Sequence, residues 1–202
     1  LCCGGFESNK QMLQDYAVKA NLVSLGSALF NTGDGIVMAQ EVGANLWHMG
    51  NMVYADLVFR YPCGVQVFGC QRGIAAKGVI MVGNDGTRFM NEADKSHHGK
   101  SYFHGDIIAT PFTSKIYAIM DQEIIDMGAL HKQFSADNSE EIASGWIVKA
   151  DTLAELAEKI GVPAENLEKT IALNNEMIDR GEDILFGRSL ETMKKFSEGP
   201  FY

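Results

Sequence analysis

Three residues, Asn84-Asp85-Gly86, constrain this chain more than any others. They stand between an apolar run, Val79-Ile80-Met81-Val82, and the shorter Arg88-Phe89-Met90. Asn and Gly adopt positive φ at little cost, so the triplet is strong turn chemistry. It predicts a hairpin over residues 78–90, with 88–90 as the returning strand. Ile116-Tyr117-Ala118-Ile119-Met120 reads as a further strand, followed by a short helix from Gln122 to Met127.

The C-terminal third is dominated by helix signals. Thr152 and Glu155 make a capping box ahead of Leu153, Leu156, Ala157 and Ile160. Gly161 is a helix stop and Pro163 suits the first turn of the next helix. That helix carries Leu167, Ile171, Asn174, Asn175 and Ile178 and ends at Gly181. One apolar stripe on each predicts that the pair packs on a sheet. Towards the N-terminus, Leu1–Gly5 reads as the tail of a buried strand, and Ser8 or Asn9 as the cap of a short helix through Met12, Leu13 and Tyr16. Thr32-Gly33-Asp34-Gly35 reads as a glycine-rich turn opening a helix that ends near Gly43. The stretch from Leu46 to Cys70 reads as irregular strands and loops.

Composition narrows the partners. The formal net charge is -9 without a Lys/Arg run, which argues against nucleic acid. No apolar run approaches the ~20 residues of a membrane helix. Four cysteines, Cys2, Cys3, Cys63 and Cys70, fit no common zinc spacing, so buried or reduced thiols are favoured over a Cys63–Cys70 disulfide. No metal site is expected. His97 and His98 are adjacent and would point to opposite faces of a strand, and no carboxylate or cysteine completes a ligand set. Asp137–Glu141 reads as a solvated turn or helix start, and His48 and His131 as ordinary surface or core histidines.

Taken in order, Cys3-Gly4-Gly5, Thr32-Gly33-Asp34-Gly35, Gly86-Thr87-Arg88-Phe89-Met90-Asn91-Glu92, Phe186-Gly187-Arg188 and Pro200-Phe201-Tyr202 resemble the FAD-dependent fumarate reductase and ketosteroid dehydrogenase superfamily. The resemblance is to an internal piece centred on the capping domain. It implies an α+β fold, a small mostly antiparallel sheet with packed helices, plus a remnant of the FAD-binding domain. Residues 1–45 would be that remnant, 46–195 the capping domain, and 196–202 the return to the FAD-binding domain. The cofactor implied is FAD, held by the full-length protein and not tightly by this piece, which lacks the family's N-terminal nucleotide fold. Gly4, Gly5, Thr32, Gly33, Asp34 and Gly35 would line it, since glycines let backbone N–H groups approach a pyrophosphate at a helix N-terminus.

The implied reaction is reduction of an activated C=C bond, with hydride from flavin N5 and a proton from the cap. Several positions depart from the family. Cys2-Cys3 stands where Ala-Thr is usual, Ser96 where fumarate reductases place a proton-donating Arg, Gln71-Arg72-Gly73 where an acid is expected, and Tyr61-Pro62 where a His-Pro pair binds substrate. These departures weigh against fumarate or succinate. Catalytic candidates are then His97, His98, Tyr102 and Glu92, because histidine donates protons near neutral pH and tyrosine stabilises an enolate-like oxygen. Arg60, Tyr61 and Arg88 are the substrate candidates. The partners implied are a small-molecule substrate, the FAD-binding domain of the same polypeptide and an electron-donor protein or domain. A 3-ketosteroid dehydrogenase-like activity and a non-catalytic binding module are the alternatives.

Overall fold

The computed structural model describes residues 2–17, 30–50, 59–60, 66–67, 77–93, 100–103, 105–109 and 115–202. For residues 59–60, 66–67, 100–103 and 106–109 it describes the backbone. The chain forms two compact units. The first comprises Leu1–Phe68 with His98–Ala109, and the second Gly69–His97 with Thr110–Tyr202.

In the first unit, helix α1 spans Lys10–Tyr16. Asn9 caps it, its Oδ1 accepting the Met12 N–H at 3.1 Å, which satisfies one of the orphan donors of the first turn. Met12 and Leu13 are its buried face. Helix α2, Asp34–Glu41, starts from Gly33 in the left-handed region at φ 87°. It ends as expected, with Gly43 at φ 89° donating to the Gln40 carbonyl. Strands β1 (Phe59–Arg60) and β2 (Gln66–Val67) pair antiparallel. The expected strand tail at Leu1–Gly5 is not found at Cys2–Gly5. Gly4 sits at φ 76° and turns the backbone, and Cys2 and Cys3 are exposed free thiols. The Cys63 and Cys70 expectation lies outside the described residues.

The second unit holds most of the described core. Strand β3, Ile80–Val82, is wholly buried. Between these units in sequence, β4 (Lys100–Phe103) and β5 (Asp106–Ala109) belong to the first and form an antiparallel hairpin. Strand β6, Tyr117–Ile119, pairs with β3 with Met81 opposite Ala118. The Asn84-Asp85-Gly86 turn forms as expected, with Gly86 N–H on the Gly83 carbonyl and both Asp85 oxygens taken by Thr87. The returning strand does not. One bridge, Val82 to Arg88, is made, and then the chain leaves the ladder. The reason is visible on β3 and at the residue before it. The Met81 N–H donates to Glu92 Oε1 at 3.1 Å, and the Val79 carbonyl accepts Arg188 Nη1 at 2.8 Å. Buried side-chain charges thus occupy backbone positions that a strand would have paired.

Helices follow this pair in sequence. Helix α3, Gln122–Asp126, is capped by Asp121. Helix α4, Ser139–Ala143, starts at the expected place, but Glu141 is buried rather than solvated, accepting the Ser135 N–H and hydroxyl. Helix α5, Leu153–Ile160, has the expected box with a shift of one residue. Thr152 Oγ1 accepts the Glu155 N–H, while Glu155 reaches the Asp151 N–H instead of that of Thr152. Helix α6, Ala164–Arg180, has Pro163 as its cap residue and stops at Gly181, φ 84°. A 3-10 turn covers Leu190–Thr192.

Helices α5 and α6 pack against each other, and α6 also buttresses the turn. Asn166 donates to the Asp85 carbonyl and Thr170 to the Gly86 carbonyl, both at 2.8 Å. A Cβ on Gly86 would lie 3.2 Å from the Leu167 nitrogen, so glycine is required there for contact as well as for φ 76°. Phe201 exchanges two backbone bonds with Ala150, and Tyr202 two with Met120, tying the last residues to two separate loops. The architecture is α+β with antiparallel pairing, but the described strands form three separate two-stranded ladders instead of one sheet.

Leu167 is fully buried at the α5–α6–turn junction. Leu167→Ala is expected to lower stability by about 3 kcal/mol in urea unfolding, against less than about 0.5 kcal/mol for the exposed Lys169→Ala.

Candidate functional site

Two constellations carry chemistry, one in each unit. In the first, the two glycine-rich stretches meet. The Gly33 N–H donates to the Gly5 carbonyl at 3.0 Å, and the Ser8 N–H to the Asn31 carbonyl at 3.0 Å. Asn9 Nδ2 reaches the Thr32 carbonyl at 2.8 Å. The α2 N-terminus carries no side-chain cap, since Gly33 has none to offer and the Asp34 carboxylate instead accepts the Thr32 hydroxyl at 2.7 Å. The sequence-predicted cofactor residues Gly4, Gly5, Thr32, Gly33, Asp34 and Gly35 are therefore brought together.

The glycines are also packing requirements. A Cβ on Gly33 would lie 2.4 Å from Met12 Sδ, and one on Gly35 3.2 Å from Cys3 Cβ. The outward side of this region is apolar and exposed, with Val37, Met38, Val42 and Trp47 all facing solvent.

In the second unit, four charged side chains lie inside the core. Side-chain exposure is 2% for Arg88 and 0% for Glu92, Asp183 and Arg188. Arg88 grips Glu92 through Nε at 3.0 Å and Nη2 at 2.8 Å, and Nη2 also reaches Asp183 at 3.0 Å. Arg188 Nη1 is 2.8 Å from Glu92 Oε2, and its Nε and Nη2 donate to Thr192. Asp183 further accepts the N–H groups of Leu185, Phe186 and Arg188. Arg88 Nη1 is buried without a partner among the described residues, and the Phe186 ring lies over the guanidinium at 5.2 Å.

The cluster is neutral as a whole, two cations against two anions, which is what permits it to be dry. Burial would push the Arg88 guanidinium down, but Glu92 and then Asp183 outweigh it and hold it above its ordinary value. For Arg188 burial wins over Glu92 and the value falls. Burial raises the Asp183 carboxyl, yet the bond from Arg88 overrides it and keeps it below the usual carboxylate range.

The substrate candidate Arg88 and the catalytic candidate Glu92 thus share one buried cluster with two residues the sequence reading missed as site residues, Asp183 and Arg188. The signal for Asp183 was an acidic pair, Glu182-Asp183, before the apolar Ile184-Leu185-Phe186. Arg60 lies in β1 and Tyr102 in β4, and their side chains are outside the described residues, as are Tyr61, His97 and His98 entirely. Among the described residues no group of three His, Cys, Asp or Glu could hold a metal ion, and no helix is long and apolar enough to cross a membrane.

Comparison with known proteins places this geometry. The model of the FAD binding domain family matches residues 1–202, and the chain belongs to that family. Its cofactor is FAD. The chain is 32% identical to an NADH:acrylate oxidoreductase from Vibrio harveyi over 100% of its own length and 19% of that protein. It is 34% identical to a 3-oxosteroid 1-dehydrogenase from Mycolicibacterium smegmatis, over 98% of this chain and 35% of that one. The chain therefore spans about a fifth to a third of these relatives. The crystal structure of 3-ketosteroid delta1-dehydrogenase from Sterolibacterium denitrificans shares the fold, with a TM-score of 0.74 at 21% identity, over 98% of this chain and 39% of that chain. The first-unit cradle resembles an FAD pyrophosphate site in its uncapped helix start and its glycine backbone, with the Asn31 amide lying against Gly4 and the Glu7 carboxylate against Gly5.

The cluster dictates an acid-dependent stability. Asp183, with its folded-state value depressed, contributes fully above the unfolded value of ~3.9 and loses that contribution as pH falls through the folded value. Asp183→Asn is expected to cost about 3 kcal/mol near neutral pH, with the gap to wild type closing below about pH 4. Urea unfolding at several pH values measures it, and a gap independent of pH would contradict the assignment.

Proposed function

We propose that these residues are the capping domain and part of the FAD-binding domain of an FAD-dependent oxidoreductase that reduces an activated C=C bond. Residues 1–45 belong to the FAD-binding part, 46–195 to the cap, and 196–202 to the return. The exposed apolar side of α2, with Val37, Met38, Val42 and Trp47, suits burial against the remainder of the FAD-binding fold of the same polypeptide. The share of the relatives' length that the chain covers is in keeping with this.

The cradle at Gly4, Gly5 and Thr32–Gly35 holds the cofactor pyrophosphate by backbone N–H groups and the α2 dipole. When bound, FAD supplies the hydride from N5. The chain supplies the proton: His97, His98 or Tyr102 delivers it to the carbon beside the one that receives hydride. Arg60 and Tyr61 orient the substrate. Arg88 and Glu92 serve by holding the cap together, since their polar atoms are largely committed to each other and to Asp183, Arg188 and Met81.

The observation that carries the substrate class is the pairing of arginines. Every described arginine of the second unit faces a carboxylate: Arg88 and Arg188 in the buried cluster, and Arg180 with Glu176 on the surface. A dicarboxylate substrate calls for arginine forks left open to it. Closed forks favour a less charged acceptor, an enone or an unsaturated aromatic acid, over fumarate. The same observation fits a second reading, dehydrogenation of a 3-oxosteroid-like ketone, which the Mycolicibacterium relative's name supports.

The test uses the full-length flavoprotein, reduced anaerobically and mixed with enones, enoates and steroids. Rapid flavin reoxidation by one class is expected, slowed by about 10²-fold or more in whichever of His97→Ala, His98→Ala and Tyr102→Phe removes the donor. If no compound reoxidises the flavin and oxidised enzyme dehydrogenates a ketosteroid, the second reading stands. Absence of both activities together with absence of bound flavin leaves a binding module.

A further inference from the structure

The Glu7 carboxylate is held over the glycine cradle of the first unit. Its Oε1 accepts from Asn31 Nδ2. Its Oε2 lies over Gly5, 2.5 Å from where a Cβ on that residue would stand. Asn31 is itself fixed, with its Oδ1 over Gly4 and its carbonyl accepting the Ser8 N–H at 3.0 Å. The turn that carries Glu7 is tied further by the Asn9 N–H on the Phe6 carbonyl and by Asn9 Nδ2 on the Thr32 carbonyl. Among the described residues no donor meets Oε2. Glu7 is half-buried, so this oxygen is neither sealed in a core nor carried on a side chain free in solvent.

We infer that Glu7 is a cofactor-binding residue: its Oε2 accepts a sugar hydroxyl of FAD, and Asn31 is the positioning residue that holds the carboxylate for it. This rests on the reading of Gly4, Gly5 and Thr32–Gly35 as the cofactor cradle. The chemistry of the ligand selects the group. The cradle offers backbone N–H groups, which suit phosphate oxygens. A fixed carboxylate suits the opposite partner, because an ionised acid only accepts hydrogen bonds and a pyrophosphate diester has none to give. FAD carries hydroxyls on both sides of its pyrophosphate, the ribityl chain towards the flavin and the ribose towards the adenine. A carboxylate beside the cradle therefore repels a misplaced phosphate and accepts a correctly placed sugar, which sets the register of the dinucleotide along the glycines. The bond from Asn31 is part of the device. A free glutamate loses rotamer entropy when it takes a ligand, and one already held loses little.

The experiment measures flavin binding to the full-length apoprotein, by quenching of FAD fluorescence. Glu7→Ala is expected to weaken FAD about 10–10²-fold in Kd, the range for a hydrogen bond to a charged group. Glu7→Gln, which keeps an oxygen acceptor without the charge, should fall between. Asn31→Ala should weaken binding by a smaller factor and add almost nothing to Glu7→Ala, because the group it holds is gone. FMN and ADP, measured as competitors of FAD, locate the hydroxyl. A loss by Glu7→Ala confined to FMN assigns the ribityl chain, and one confined to ADP assigns the ribose. FAD bound equally well or more tightly by Glu7→Ala overturns the inference, the tighter case marking a carboxylate that only opposes the pyrophosphate. A loss shared by FMN and ADP, or seen with neither, overturns it as well, since no single sugar is then being read. Gly35→Ala separates these outcomes from failure of the cradle. Its Cβ would lie 3.2 Å from Cys3 Cβ at the start of α2, and FAD should weaken about tenfold if the cofactor backbone approaches there. Indifference to Gly35→Ala, or an apoprotein that takes up no FAD, removes the cradle reading whatever Glu7→Ala does.

Discussion

The ion cluster of Arg88, Glu92, Asp183 and Arg188 is the constraint on which the second unit depends. Each member has almost no solvent, so each is satisfied by the others, by nearby backbone and, for Arg188, by the Thr192 hydroxyl. Together they join β3 through Met81, its neighbour Val79 and the nearby 88–92 turn to the 183–192 segment, about a hundred residues further along. Removing one member strands another in a medium that cannot solvate it, and that asymmetry makes the arrangement specific.

The cluster also explains why the hairpin expectation succeeded at its turn and failed at its second strand. Turn chemistry is local, and Asn84-Asp85-Gly86 specifies its own geometry whatever lies around it. A ladder is not local. Its edge positions on β3 went to a carboxylate from residue 92 and a guanidinium from residue 188, and nothing in Arg88-Phe89-Met90 announces that competition. The helices α5 and α6 were legible for the converse reason. A capping threonine, a stop glycine, a proline start and an apolar stripe are all short-range signals that agree with one another. Glu141 shows the limit: an acid in an acidic stretch reads as solvated, and its burial depends on Ser135 folding back to meet it.

The glycine cradle was legible in sequence because its parts are spaced as a turn and a helix start. Its closure, Gly33 to Gly5, is a contact between stretches about thirty residues apart that sequence alone gave no means to draw. Asp183 was hidden for the same kind of reason. Its neighbours in sequence are apolar and exposed, Ile184 and Leu185, while its partners in space are three N–H groups of its own loop and a guanidinium from residue 88.

The two constellations divide the labour that a flavoprotein requires. Cofactor binding asks for helix-start N–H groups without a competing cap, and α2 of the first unit has no side-chain cap. The second unit instead commits its described buried charges to one another and to nearby backbone. The charges able to bind an anionic substrate and the charges able to stiffen the cap are drawn from the same small stock of arginines, five in the whole chain. Arg88 and Arg188 are committed to the buried cluster, and in the proposed function neither is open to a carboxylate substrate.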